Sequence, residues 1–83
     1  MIRTSFIKAI DTLTADEELT PFQKAELLKD LDWRYGPYDE ITIDEVHAII
    51  NDLEKSEVLY KKSAISIMDL TKENLASDSS EAN

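Results

Sequence analysis

Between Asp30 and Glu45 the chain gathers six carboxylates, three aromatic rings and one arginine, the side chains in it best suited to chemistry. The acids are Asp30, Asp32, Asp39, Glu40, Asp44 and Glu45; the rings are Trp33, Tyr35 and Tyr38; the cation is Arg34. Converging carboxylates can hold a hard cation or move protons. Tryptophan, tyrosine and arginine are also the residues that carry most of the binding energy at protein interfaces, and half of the chain's aromatic residues lie in this one link. Taken singly, Trp33 and Tyr35 read as packing residues of a small helical core. Tyr38, set between a proline and two acids, reads as exposed.

The rest of the catalytic inventory is poor. His47 is the only histidine and there is no cysteine, so no histidine-based metal cluster or triad and no thiolate site can be assembled. His47, beside an acidic helix start, reads as a polar surface residue without a role. Acid pairs such as Asp44 and Glu45, or those within Asp16–Glu18, would need a pocket to do acid–base work, and a chain this small rarely encloses one. Glycine-rich phosphate loops, a nucleophile elbow and zinc-ligand spacing are all missing from the sequence. The expectation is a non-enzyme with no cofactor and no metal ligands.

One resemblance attaches to the same link. Ile41, Thr42 and Glu45 match the central apolar residue, the next residue and the terminal bidentate glutamate of an EF-hand loop, ahead of a helix beginning at Val46. The similarity is confined to Asp30–Glu45 and implies a calcium-binding helix-loop-helix. Counted back from Glu45, however, the first, third and fifth loop positions fall on Arg34, Gly36 and Tyr38, and the sixth is Asp39 rather than glycine. Aligning Asp30 and Asp32 instead puts Arg34 at the fifth position and Ile41 at the last. The plainer reading is a capped helix start beside a solvated acidic loop, so a degenerate EF-hand-like element stands only as an alternative.

Charge narrows the partners. Nine basic against eighteen acidic residues give a formal charge of −9 and a pI near 4.4, which repels nucleic-acid phosphates and anionic membranes. Direct nucleic-acid binding is not expected. An acid excess commonly does no more than solubilise a small domain. The sharper reading is that Asp30, Asp32, Asp39, Glu40, Asp44 and Glu45, extended by Asp52 and Glu54, imitate phosphates or complement a basic protein. The absence of cysteine staples favours the cytoplasm, and the polar Thr4, Ser5, Lys8 and Asp11 interrupt the first apolar residues, so neither a signal-peptide core nor a membrane span is read there.

These residues must be positioned by helices, since one glycine and two prolines leave few breaks in a chain rich in Leu, Ala, Glu, Lys and Asp. Ile2, Phe6, Ala9, Ile10 and Leu13 give one apolar face to a first helix over about Arg3 to Leu13. The Thr14–Leu19 stretch reads as a short turn capped by Thr14, or as loop. Thr20, Pro21 and Gln23 mark the start of a second helix, whose face is read as Phe22, Ala25, Leu27, Leu28, Leu31 and Tyr35 and whose end is marked by Gly36-Pro37 in a left-handed stop. Thr42 and Glu45 form a second capping box, with Ile41 and Val46 as a hydrophobic staple. Val46, Ile49, Ile50 and Leu53 continue that third helix, and its stripe loses phase at Lys55-Ser56-Glu57. Beyond, Val58, Leu59, Ile65, Met68 and Leu75 lie on a rough seven-residue seam, with Ile67 and Leu70 off it. Whether residues 43–75 are one helix or two, with Ser63 as a candidate start, stays open. No internal repeat is visible.

The sequence therefore predicts an all-α fold: a small three- to four-helix bundle over residues 1–76, with a last helix that can run long and a disordered acidic tail over 77–83. Its expected core is Phe6, Ile10, Leu13, Phe22, Leu28, Leu31, Val46, Ile50 and Leu53. Its expected work is that of an inhibitor, immunity or regulatory protein. In scale and acidity the chain is similar to bacteriocin-immunity, phage-encoded inhibitor and antitoxin proteins in general, without matching the motifs of any one family. The expected partner is another protein, either a basic nucleic-acid-binding protein or a toxin, contacted through Asp32, Trp33, Arg34, Tyr35, Tyr38, Asp39, Glu40 and Asp44. The rival is a structural homodimer formed through the C-terminal helix.

Overall fold

Amphipathic stripes this short can bury themselves only against one another, and the computed structural model shows how four of them do so. It describes residues 2–36 and 40–81, with side chains as far as Ser77. The helices are α1 (Ile2–Ala15), α2 (Pro21–Tyr35), α3 (Ile43–Lys55) and α4 (Lys61–Glu81). Their principal packing is α1 on α4, with α1 on α2, α2 on α3 and α3 on α4 completing the bundle. The radius of gyration, 12.1 Å, is what a compact chain of this length should have, about 12 Å. Among the described residues no helix is long and apolar enough to cross a membrane.

Both predicted helix starts are present atom for atom. Thr20 Oγ1 accepts from the Gln23 N–H at 3.1 Å while Gln23 Oε1 accepts from the Thr20 N–H at 2.9 Å. Thr42 and Glu45 make the same reciprocal pair at 3.2 and 2.9 Å. Ile41 and Val46 are both buried, as a staple requires. The break near Ser56 is real, so residues 43–75 are two helices, and the second begins at Lys61, just before Ser63. Its helical course to Glu81 takes in residues 77–81, the first part of the expected tail.

Three local readings are corrected. Thr14 caps nothing: it lies inside α1, and its hydroxyl donates back to the Ile10 carbonyl at 2.7 Å. Gly36 has φ 67° and ψ 174°, which is not the left-handed helical stop but an extended positive-φ region open essentially to glycine alone. Phe22 is 62% exposed. The buried row of α2 is instead Gln23, Leu27 and Leu31, flanked by half-buried Leu28 and Tyr35. Because polar Gln23 takes the inward position in the first turn, the ring one residue before it is turned 100° away.

A fourth correction concerns repetition. The α1–α2 and α3–α4 connections are the same structure, displaced by forty positions (Glu17 to Glu57). Glu17 and Glu57 both have φ 65°. Each donates its N–H three residues back, to Thr14 and Glu54, and the next residue, Glu18 or Val58, donates to Leu13 or Leu53 at 2.9 Å in both cases. Those bonds define a Schellman motif. Leu19 and Leu59 then turn into the core, and a new helix starts two residues later. Ile10 and Ile50, Leu13 and Leu53, Glu17 and Glu57, and Leu19 and Leu59 are identical pairs at this offset, and Phe6 with Val46, Ala9 with Ile49 and Leu27 with Ile67 are buried in both copies. The two helical hairpins thus share one turn geometry and the core positions around it.

The fourth helix completes the core differently from its sequence pattern. Ala64, Ile67, Met68 and Thr71 are buried, while Ile65 is 54% exposed. The seven-residue seam had placed Ile65 inside and Ile67 outside. The repeat explains the reversal, since Ile67 occupies the place in α4 that Leu27 occupies in α2. Thr71 is tolerated in the core because its hydroxyl donates to the Ile67 carbonyl at 2.7 Å. Asn74 Nδ2 donates to the Ser5 carbonyl at 3.2 Å, tying α4 to α1.

Candidate functional site

The described contact residues lie in the last turn of α2 (Asp32, Trp33, Arg34, Tyr35), just before α3 (Glu40) and in its first turn (Asp44), and a charge cluster ties α2 to α3. Arg34, in the last turn of α2, has its Nε 3.1 Å from Asp30 Oδ2 and hydrogen-bonds Asp52 of α3 through its other arm. The Asp52 hydrogen bond holds the guanidinium above its ordinary pKa against the pull of its desolvation, with the charges of Asp30 and Asp52 adding to the effect. Asp30 Oδ2 is buried and lacks a properly directed hydrogen bond, so the nearby arginine charge is what compensates it. An Arg3 guanidinium nitrogen of α1 donates to the Gly36 carbonyl at the C-cap of α2. The end of α2 is thus tied by one arginine to α3 and by another to α1.

This geometry sorts the predicted site residues. Arg34 is engaged in holding α2 to α3, and Tyr35 is half-buried against the core, so neither is a free contact. Asp32, Trp33, Glu40 and Asp44 are exposed, and Trp33 is 86% exposed, the most exposed of the large apolar side chains described. Its reading as a core residue is overturned. With the inward row at Leu27 and Leu31, position 33 falls on the opposite side of the helix. Tyr38 and Asp39 lie outside the described residues.

The described carboxylates are not arranged as cation ligands. Glu45, the residue on which the EF-hand resemblance turns, uses Oε1 to accept the Thr42 N–H. Among the described residues no group of three or more acids or histidines could hold a metal ion. His47 is exposed and lines a shallow groove between α3 and α4 with Ile50, Ile65 and Met68. What remains exposed among the described contact residues is the Trp33 indole, next in sequence to Asp32, together with Glu40 and Asp44.

Sequence reasoning missed two exposed apolar groups besides Trp33. Phe22 stands on the same outer face of α2, and Tyr60, 75% exposed, stands at the α3–α4 turn. The signal for Phe22 was present: Gln23, Leu27 and Leu31 recur every four residues, which sets the inward phase of α2 and leaves positions 22 and 33 outside it. No family model, curated protein or solved structure matches the chain.

Proposed function

We propose that this chain is an acidic protein-binding module that docks on a larger basic protein, a nucleic-acid-binding protein or a toxin, and blocks it, as inhibitor and immunity proteins do. The carrying observation is Trp33, 86% exposed on a chain of charge −9 and neighboured by exposed Asp32. A large ring in water contributes nothing to the monomer's stability, whereas at an interface it is the kind of anchor that dominates affinity. The exposed carboxylates of Asp32, Glu40 and Asp44 supply long-range attraction toward a basic target and speed encounter. Arg34 and Tyr35 serve as support, keeping α2 and α3 in register beneath that surface. In this reading the protein acts by occupancy, without turning over a substrate.

The test is affinity capture from lysate at low salt, with Asp32→Lys, Asp44→Lys and Trp33→Ala run in parallel. A basic protein retained by the wild-type chain, released by raising salt to about 0.5 M, where the screening length falls to a few Å, and retained poorly by all three variants supports the reading. Capture indifferent to the three substitutions would mean the contact lies elsewhere on the bundle. Failure to retain any basic protein would remove the reading.

A further inference from the structure

The outer face of α2 carries Phe22, Glu26, Lys29 and Trp33, which at 100° per residue fall within a 60° sector of the helix. Phe22 and Trp33 are 62% and 86% exposed. Glu26, Lys29 and Trp33 line one shallow depression on this face together with Asp30. Among the described residues neither Glu26 nor Lys29 has an ion-pair partner, in contrast to Lys24, which meets Asp11 of α1 at 2.9 Å, and to Arg34. The face thus has an aromatic ring at each end, about 16 Å apart along the axis, and one unpaired charge of each sign between them.

The order of these four residues matches itself when reversed. If a second α2 is laid antiparallel about the midpoint of residues 27 and 28, position 22 faces 33 and position 26 faces 29. Phe22 of each copy then meets Trp33 of the other, and Glu26 of each meets Lys29 of the other. From this self-complementarity we propose that the chain forms an isologous dimer through the outer face of α2, with Phe22–Trp33 contacts at both ends and two Glu26–Lys29 pairs at the centre. Two-fold interfaces require this kind of self-matching.

Charge does not oppose this pairing. Two bodies of charge −9 repel, but α2 itself adds nothing to that repulsion, because its Lys24, Lys29 and Arg34 balance Glu26, Asp30 and Asp32. The apolar face of α4 offers less to the rival dimer read from the sequence, since Ile67 and Met68 are buried within the bundle while Ile65 faces out. A single helix face is well below the ~800 Å² per partner of a standard interface, so the dimer is weak, with a dissociation constant on the order of tens of micromolar. Trp33 also belongs to the proposed docking surface, so target binding and self-association compete for it. The dimer itself follows from the α2 face alone and does not depend on that docking reading.

Sedimentation velocity over about 1–500 µM, the range that brackets a weak dimer, tests the proposal, with the emission of Trp33, the only tryptophan, followed in the same samples. The expected result is a monomer–dimer equilibrium along which the emission shifts to the blue. Glu26→Lys and Lys29→Glu should each weaken it about tenfold or more by placing like charges opposite one another. Mixed in equal amounts, the two variants should associate at least as tightly as the wild type, because a copy that is basic at both positions complements a copy that is acidic at both. These positions are on the surface, so the variants keep their helical circular dichroism. A chain that stays monomeric to 500 µM, a dimer indifferent to both reversals, a mixture no tighter than its components, or a dimer broken by Ile65→Glu instead would overturn the proposal. None of these outcomes depends on capturing another protein, so the docking reading stands or falls separately.

Discussion

The side-chain amide of Gln23 donates to the main-chain carbonyl of Val58 at 2.9 Å, so the residue that caps α2 also fastens the first hairpin to the turn of the second. Its two ends do different work, since Oε1 holds the Thr20 N–H and Nε2 crosses to the α3–α4 turn. At 6% exposure neither group can turn to water instead. Replacing Gln23 by glutamate keeps the cap acceptor but sets a carboxylate against the Val58 carbonyl. The expected loss in urea denaturation is about 1–3 kcal/mol with an unchanged m-value. Glu45→Gln, at the equivalent and more exposed position of α3, makes no such crossing contact and should cost less than about 0.5 kcal/mol.

Three residues of the described chain have positive φ, and the sequence treats them unequally. Gly36 occupies a region closed to other residues, whereas Glu17 and Glu57 sit in left-handed Schellman positions that glycine favours. Gly36→Ala should therefore destabilise the protein by about 1–3 kcal/mol. Glu17→Gly and Glu57→Gly should each stabilise it by about 0.5–1 kcal/mol, the relief of the left-handed conformation exceeding the entropy that glycine adds to the unfolded chain. Thermal denaturation of the three variants checks the signs, and equal effects at positions 17 and 57 would be the energetic counterpart of the repeated turn.

How far the sequence spoke depended on whether a feature was local. Thr20-Pro21-x-Gln23 and Thr42-x-x-Glu45 encode caps within four residues, and both appear where they were read. The four-residue stripe of α3 is unambiguous because every apolar residue in it agrees on one phase. In α2 the apolar residues Phe22, Ala25, Leu27, Leu28, Leu31 and Trp33 spread around the helix, and only the bundle decides which subset is covered. Packing chose Leu27 and Leu31, and so exposed both rings now proposed as contacts. The repeat was legible in Leu13-x-x-x-Glu17-x-Leu19 and Leu53-x-x-x-Glu57-x-Leu59, yet it becomes convincing only when the hydrogen bonds at the two turns coincide. At the candidate site the engagement of Arg34 with Asp30 and Asp52 could not be known without the placement of α3.

The reassigned face of α2 makes a prediction by contrast. Leu27 is fully buried and Phe22 is not, although the helical pattern alone groups both with the core. Leu27→Ala leaves a cavity in the core and should cost about 2–5 kcal/mol. Phe22→Ala removes a larger side chain but should change monomer stability by no more than about 0.5 kcal/mol, as surface substitutions do. Chemical denaturation at low micromolar concentration, where the proposed dimer is dissociated, measures both. A large loss at Phe22 and a small one at Leu27 would restore the original reading of the helix.

The last prediction concerns why Arg34 is kept although it is not a free contact. Truncating it to methionine retains much of the stem's packing but leaves buried Asp30 Oδ2 with no compensating charge. That loss should be about 1–3 kcal/mol. Removing the other partner is expected to matter less, because Asp52 is half exposed and can be solvated, so Asp52→Asn should cost under about 1 kcal/mol. If the penalty for Arg34→Met arises from the orphaned carboxylate, then adding Asp30→Asn should recover part of it, and the double-mutant cycle should show a coupling of at least about 0.5 kcal/mol between positions 30 and 34. Strictly additive free energies would mean that Arg34 contributes through its bond to Asp52 alone, and the rigid support beneath Trp33 would then rest on a surface ion pair.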